Sequence, residues 1–423
     1  MAEPLPYLQL VKREWRFLGF GFWLTFLSSL GQTYFIFVFN DEVRGAFGLS
    51  DGDYGGCYAI ATLASAMTLV HVGRFIDRVR LVRWTLAVCL AGVVACALMS
   101  TAQGVITLII ALFALRFSGQ GLMGHTAFTS MGRYYEAQRG KAVSIAALGF
   151  AAGNGVFPAL GVAMLGAMTW REAWALMGGV LLVAMTPVAL WLLRGHDARH
   201  AKHMERIAAR NRPRDVDDED EPEDDEPRQW TRGEVLRDPR FYLLVPGLVS
   251  PTFILTGLIF HQRRLAEQKG WSVEWIATCF VGYAIAVSIS SIWTGRAVDK
   301  LGARRLAVAY LVPLALALAV VASGNGDAIA MIYLLLAGLT AGAGGPVVGS
   351  LYAELYGVLH LGSIRAISSS LMVVSTALAP FVLGWLLDRG VGMDAQSWGC
   401  LVYMVLGMIG ITVALRRPAP AGR

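Results

Sequence analysis

Apolar runs of roughly twenty residues, each closed by a short polar or charged stretch, recur along the whole chain. A run of that length crosses about 30 Å of hydrocarbon as a helix. Period-two alternation of the barrel type is absent, and in lipid a helix lets each segment satisfy its own backbone polar groups. The pattern predicts twelve spans, at 16–40, 53–73, 82–101, 104–130, 142–165, 171–193, 239–263, 273–294, 305–323, 328–352, 364–387 and 396–416. The fold class is therefore all-α membrane protein. Residues 1–194 form one six-span bundle, 195–237 a charged linker, and 238–423 a second six-span bundle.

Composition sharpens this picture. The chain is 56% hydrophobic and 16% charged, well under the roughly one quarter charged of soluble domains, and its mean hydropathy is +0.54. A net charge of +6 points first to nucleic acid, but the basic residues sit between the apolar runs, where they set topology. With the N-terminus inside, Arg74, Arg78, Arg80, Arg83, Arg133, Arg139 and Lys141 all face the cytoplasm. Arg296, Lys300, Arg304, Arg305 and Arg365 do the same in the second half, whereas few basic residues face out. This predicts a multi-pass protein of the inner (plasma) membrane with both termini cytoplasmic, partnered by the lipid bilayer and not by nucleic acid. The linker is basic from Arg199 to Arg214 and acidic from Asp215 to Glu226. Like-charge blocks bury no core, so its acidic part is expected to be disordered. The five cysteines lack paired spacing and read as small packing residues. The polar start of the chain lacks a cleavage site of the secretory type.

The halves repeat at one ungapped offset of about 222 residues. Gly73, Arg74, Asp77, Arg78 and Arg83 fall on Gly295, Arg296, Asp299, Lys300 and Arg305, and Tyr134, Gly140 and Pro158 on Tyr356, Gly362 and Pro380. Six spans per unit is even, so the repeat is parallel about an axis along the membrane normal, with a substrate site expected between the halves. The repeated loop, Gly73-Arg74-Phe75-Ile76-Asp77-Arg78 and its fuller copy Gly295 to Arg305, resembles the loop 2–3 signature of the major facilitator superfamily. Leu115-Arg116 with Gly119, Gly121 and Gly124 resembles that family's fourth-span motif. Arg133 to Ala142, Gly149, Gly153, Pro158 and Trp170-Arg171 are similar to bacterial monocarboxylate-type carriers. The eighth span lacks the acid-and-arginine pair of the animal carriers. The resemblance implies a secondary transporter working by alternating access. It also implies gating roles for Gly73, Asp77, Arg78, Gly295, Asp299 and Lys300, the aspartates meeting cations or helix N-termini.

Polar residues inside spans are costly and mark pathways or helix contacts. Arg116 lies near the middle of the fourth span, and no acid shares that depth. It either binds a substrate carboxylate in a bidentate manner or is a structural arginine bonded to neighbouring helix carbonyls. Ser28 and Gln32 continue a stripe begun by Thr25, and Gln120 follows Arg116 by one turn. Asn154 sits among fifth-span glycines, and His261 and His125 are candidate proton carriers. Arg116, Gln32, Ser28, Gln120, Asn154 and His261 are thus the candidate substrate contacts. The second-span stripe of Tyr54, Tyr58, Thr62 and Ser65 is expected to bond neighbouring helices. Gly338, Gly342, Gly345 and Gly349 are expected to serve close packing and a hinge.

No GxxxxGK[ST], HExxH or GxSxG occurs, so neither ATP-driven pumping nor an intramembrane enzyme is expected, and no cofactor or metal. The sequence points to proton-linked transport of a small organic anion such as a monocarboxylate by a monomer. Multidrug efflux, or a non-transporting sensor, remains open as the alternative.

Overall fold

The computed structural model describes residues 7–77, 79–135, 138–200, 229–357 and 360–417. Eleven helices in it are long and apolar enough to cross a membrane. They are Asp51–Val72 (span 2), Leu81–Ser100 (3), Val105–Tyr134 (4), Gly140–Leu165 (5), Trp170–Leu192 (6), Pro239–Phe260 (7), Val273–Leu301 (8), Ala303–Ser323 (9), Asp327–Tyr356 (10), Leu361–Asp388 (11) and Met393–Arg416 (12). Span 1 is a bent pair, Gln9–Gly31 and Thr33–Phe47, with 48° between its parts. The sequence predicts one unbroken run at 16–40. The break follows from Gln32, whose extended backbone (φ −87°, ψ 150°) ends the first segment.

Local chemistry sets the other ends. Ser50 accepts from the Asp53 amide at 3.0 Å while the Asp53 carboxylate accepts from the Ser50 amide at 3.3 Å. This reciprocal pair satisfies two of the free amides that open span 2. Thr169 with Glu172 starts span 6 in the same way. Inside span 7, Pro251 lacks the N–H that would reach the Gly247 carbonyl. The Ser250 hydroxyl donates there instead, at 2.9 Å.

Spans 1–6 form one bundle and spans 7–12 the other, joined along two seams where span 2 packs on span 11 and span 5 on span 8. Glycine makes the first seam close: a Cβ on Gly55 would sit 2.5 Å from the Pro380 carbonyl oxygen. A set of polar contacts among the described residues joins the bundles at the end that carries the loops after spans 1, 7 and 11. There the Asp388 carboxylate accepts the Asp51 and Gly52 amides at 3.1 and 2.9 Å. Arg264 meets Asp51 at 3.1 Å, and Arg263 meets Asp41 at 2.8 Å and Glu42 at 2.7 Å. Asn40 donates to the Phe260 carbonyl at 2.6 Å. This loop end is sealed. At the opposite, terminus end the linker's two ends lie on their own bundles. The His196 ring stacks on Phe17 at 5.2 Å, Asp197 pairs with Arg80 at 3.1 Å, and the Trp230 amide donates to the Tyr356 carbonyl at 2.9 Å. The acidic run expected to be disordered lies outside the described residues.

Candidate functional site: a cavity between the bundles

A cavity of about 630 Å³ lies between the bundles, walled by spans 1 and 5 on one side and spans 7 to 11 on the other. Near the loop end it is lined by Gln32, Thr33, Tyr34, Ile259 and Tyr283. Its middle carries Phe150, Asn154, Leu255, Thr256 and Thr376. Toward the terminus end come Tyr310, Gly345, Gly349, Tyr352, Ser368 and Arg365. The break in span 1 is what brings Gln32 to Tyr34 onto the wall, since the chain changes direction just before them.

Two of the six substrate-contact candidates lie here, Gln32 and Asn154. Asn154 donates to the Phe150 carbonyl at 3.0 Å, which leaves its amide oxygen available. The other four stand elsewhere in this conformation. Ser28 is fully buried and donates to the Thr25 carbonyl at 2.6 Å. Gln120 belongs to a π-helical stretch, Arg116–Met123, where span 4 crosses the break in span 1. His261 is buried at the loop end, its Nε2 against the Pro380 carbonyl at 2.8 Å and its Nδ1 facing Asp51 at 3.8 Å.

Arg116 is 0% exposed and does not line the cavity. Its Nε donates to Thr62 at 3.2 Å and its Nη1 to the Gly31 carbonyl at 2.8 Å, while the guanidinium lies 4.9 Å from the Tyr58 ring centre. In this conformation these contacts are those of a structural arginine, while its buried Nη2 has no hydrogen-bond partner. The Gly31 carbonyl is freed where span 1 breaks, and the guanidinium fills its vacancy. A Cβ on Gly31 would lie 2.1 Å from the Leu115 carbonyl oxygen, so spans 1 and 4 touch backbone to backbone there. Of the second-span stripe, Tyr58 is bonded to Thr33 at 2.7 Å and Thr62 to Arg116, whereas the buried Tyr54 hydroxyl has no hydrogen-bond partner.

Among the described residues, the one charged side chain on the cavity wall is Arg365. In the sequence it falls among the loop charges, because it stands only four residues into its helix. A signal was present: Arg365, Ser368, Ser369, Met372 and Thr376 recur at helical spacing, and all line the cavity. The span 10 glycines divide. Gly338 and Gly342 pack on span 8, where added Cβ atoms would sit 2.6 and 2.3 Å from the Tyr283 and Val287 carbonyl oxygens. Gly345 and Gly349 face the cavity instead, which corrects the expectation that the whole row serves packing.

At the terminus end, Gly73 closes span 2 with its carbonyl on His125 Nε2 at 3.1 Å. Arg78 and the side chain of Asp77 lie outside the described residues. Gly295, Asp299 and Lys300 lie on the last turns of span 8, with Asp299 and Lys300 exposed. The carboxylate that holds a helix N-terminus there is Glu354, which accepts the Ala303 and Arg304 amides at 2.6 and 3.0 Å. The expectation placed that contact on Asp299.

The family model described as Major Facilitator Superfamily matches residues 21–278 and 252–423. The chain is similar in fold to a bacterial homologue of the human lysosomal transporter Spinster. In that protein's inward-facing, unoccupied form the TM-score is 0.68 at 16% identity, over 99% of this chain and 100% of the other. In its inward-facing, occupied form the TM-score is 0.66 at 18% identity, with the same coverage. No curated protein matches the chain in sequence.

Proposed function

Since the chain belongs to the Major Facilitator Superfamily, and is a multi-pass membrane transporter of small molecules rather than an enzyme, we propose that its cargo is a small organic anion held by Arg365. The observation that carries this reading is the charge of the cavity wall: one guanidinium and no Asp or Glu among the described lining residues. A cation in a solvated pathway keeps water when the cavity is empty and takes a carboxylate by paired hydrogen bonds when it is loaded. The anion reading first attached to Arg116 thereby moves to Arg365. Arg116 holds the bend that sets Gln32 on the opposite wall.

In this proposal the bundles rock about the cavity, and the structure corresponds to the state open at the terminus end. With both termini cytoplasmic in an inner (plasma) membrane, that state faces inward. Coupling to protons uses His261, or the anion enters together with its proton. The protein works as a monomer. Uptake of labelled carboxylates into proteoliposomes, at imposed pH gradients, tests the reading. Wild type accumulates carboxylate, and Arg365→Ala loses at least about tenfold of the rate, or about 1.4 kcal/mol. Full uptake by Arg365→Ala overturns it.

The apolar stretch of the wall, with Leu248, Leu255, Phe150, Val348 and Met372, favours extrusion of amphipathic drugs as the second reading. Outward flux of neutral or cationic dyes, indifferent to Arg365, would select it.

A further inference from the structure

The cavity is large for a short acid. Its 630 Å³ has room for roughly twenty waters at about 30 Å³ each. An acid of a few heavy atoms fills only a corner of such a space, and volumes of this order suit drug-sized ligands. The wall beside Arg365 shows what the rest of the space is shaped to take.

Span 10 presents Gly344, Gly345 and Gly349 to the cavity within two turns of one helix. A Cβ on Gly345 would meet nothing within 4 Å, so this wall is bare backbone with open space before it. The shelf has a polar group at each end. A Cβ on Gly349 would lie 3.8 Å from Arg365 Nη2, and one on Gly344 would lie 3.9 Å from Cε2 of Tyr310. Tyr310 is 6% exposed, lines the cavity, and its hydroxyl has no hydrogen-bond partner. Burying a phenol without a partner leaves its desolvation uncompensated. Such a group is a place to look for a ligand. Five residues at about 1.5 Å each separate the two ends by roughly 7–8 Å.

We propose that the glycine shelf of span 10, between Arg365 and Tyr310, is a subsite for the ring of an aryl carboxylate. The carboxylate rests on Arg365, the flat ring lies on Gly345, and a hydroxyl on the far side of the ring meets Tyr310. This rests on the organic-anion reading and narrows it from short monocarboxylates to ring-bearing acids. Only glycine leaves the shelf low enough for a ring, because any side chain at Gly345 projects into the same space.

Binding of three probes to the purified full-length protein tests the inference: acetate, phenylacetate and 4-hydroxyphenylacetate, each by calorimetry. Phenylacetate is expected to bind at least tenfold tighter than acetate, and the 4-hydroxy acid several-fold tighter again. Gly345→Leu brings the phenylacetate-to-acetate ratio close to one. Tyr310→Phe, which keeps the ring in place, brings the ratio of hydroxylated to plain acid close to one. If Gly345→Leu does not fold, Gly345→Val and Tyr310→Phe carry the test. A ring acid that binds no tighter than acetate, in a protein whose acetate binding still needs Arg365, overturns the subsite and leaves the anion reading standing. Binding of all three acids unchanged in Arg365→Ala, or of none to wild type, brings down both.

Discussion

Arg116 in the first bundle and Arg365 in the second are both guanidiniums on long apolar helices, but their surroundings are opposite. Arg116 is sealed among spans 1, 2 and 4 with two of its donors committed to Thr62 and Gly31. Arg365 stands exposed on the cavity wall beside the bare face of Gly349. The difference teaches that depth along a span does not measure access to substrate. The deeper arginine closes a backbone defect inside one bundle, and the one nearer the helix end faces the space between the two bundles.

The largest effect that can break this contrast is expected at Arg116. Arg116→Ala removes charge-assisted bonds and strands the Gly31 carbonyl, at a cost of about 3 kcal/mol. Thermal unfolding in detergent should show the loss. Arg365→Ala should leave the same unfolding curve within about 0.5 kcal/mol while lowering the uptake rate at least about tenfold. If the two variants exchange phenotypes, the assignment of the arginines is reversed.

Glycines sharpen the contrast at a smaller scale. A Cβ on Gly119 would lie 2.5 Å from the Gly31 amide nitrogen, so Gly119→Ala overpacks the first bundle by about 1–3 kcal/mol. Gly345→Ala meets no neighbour and gains helix propensity of up to about 1 kcal/mol. Unfolding midpoints that move in opposite directions confirm the distinction, and midpoints that fall together refute it.

The two ends of the cavity offer a third test. Asp388→Asn removes the anionic partner of the span 2 N-terminus and weakens the loop-end seal by about 1 kcal/mol. Spin labels on the loops after spans 1 and 11 should report longer distances.

The smallest effect concerns pH. His261 follows the last residue of span 7, and burial pushes its imidazole below the ordinary value, against the pull of the Pro380 carbonyl and Asp51 and with Arg44 and Arg264 also opposing protonation. The open form, with the ring in water, therefore binds the proton more readily. Closure of the loop end is favoured above about pH 6.5 and weakens as pH falls through that value. The same spin labels should separate on acidification in wild type, and His261→Gln should remove the response. A wild-type distance independent of pH would exclude the histidine as the proton site.

Much of the fold was legible in the sequence. Each run carries its own hydrogen bonds, so run length alone locates the spans, and the offset repeat gives the two bundles. The bend in span 1 was not legible, because it depends on a contact between Gly31 and span 4, far apart in sequence. The site was legible only in part. Gln32 and Asn154 announce themselves as isolated polar residues within apolar runs. Arg365 was masked by its place at a helix start, where topogenic arginines also stand. Arg116 drew attention because periodicity cannot tell a helix face turned to a neighbour from one turned to a channel. His261 could be placed near a loop, but its burial under Asp51 depends on how the bundles meet.

The junction of Asp388 with span 2 has a mechanical consequence. A carrier parts and rejoins this contact in every cycle, and a helix end deprived of its only acceptor would fray each time. Here the first turn of span 2 is already tied internally by Ser50 and Asp53. Asp388 therefore works as a removable clasp on a finished end, and the bundles can separate as solid bodies without any local melting to repair on return.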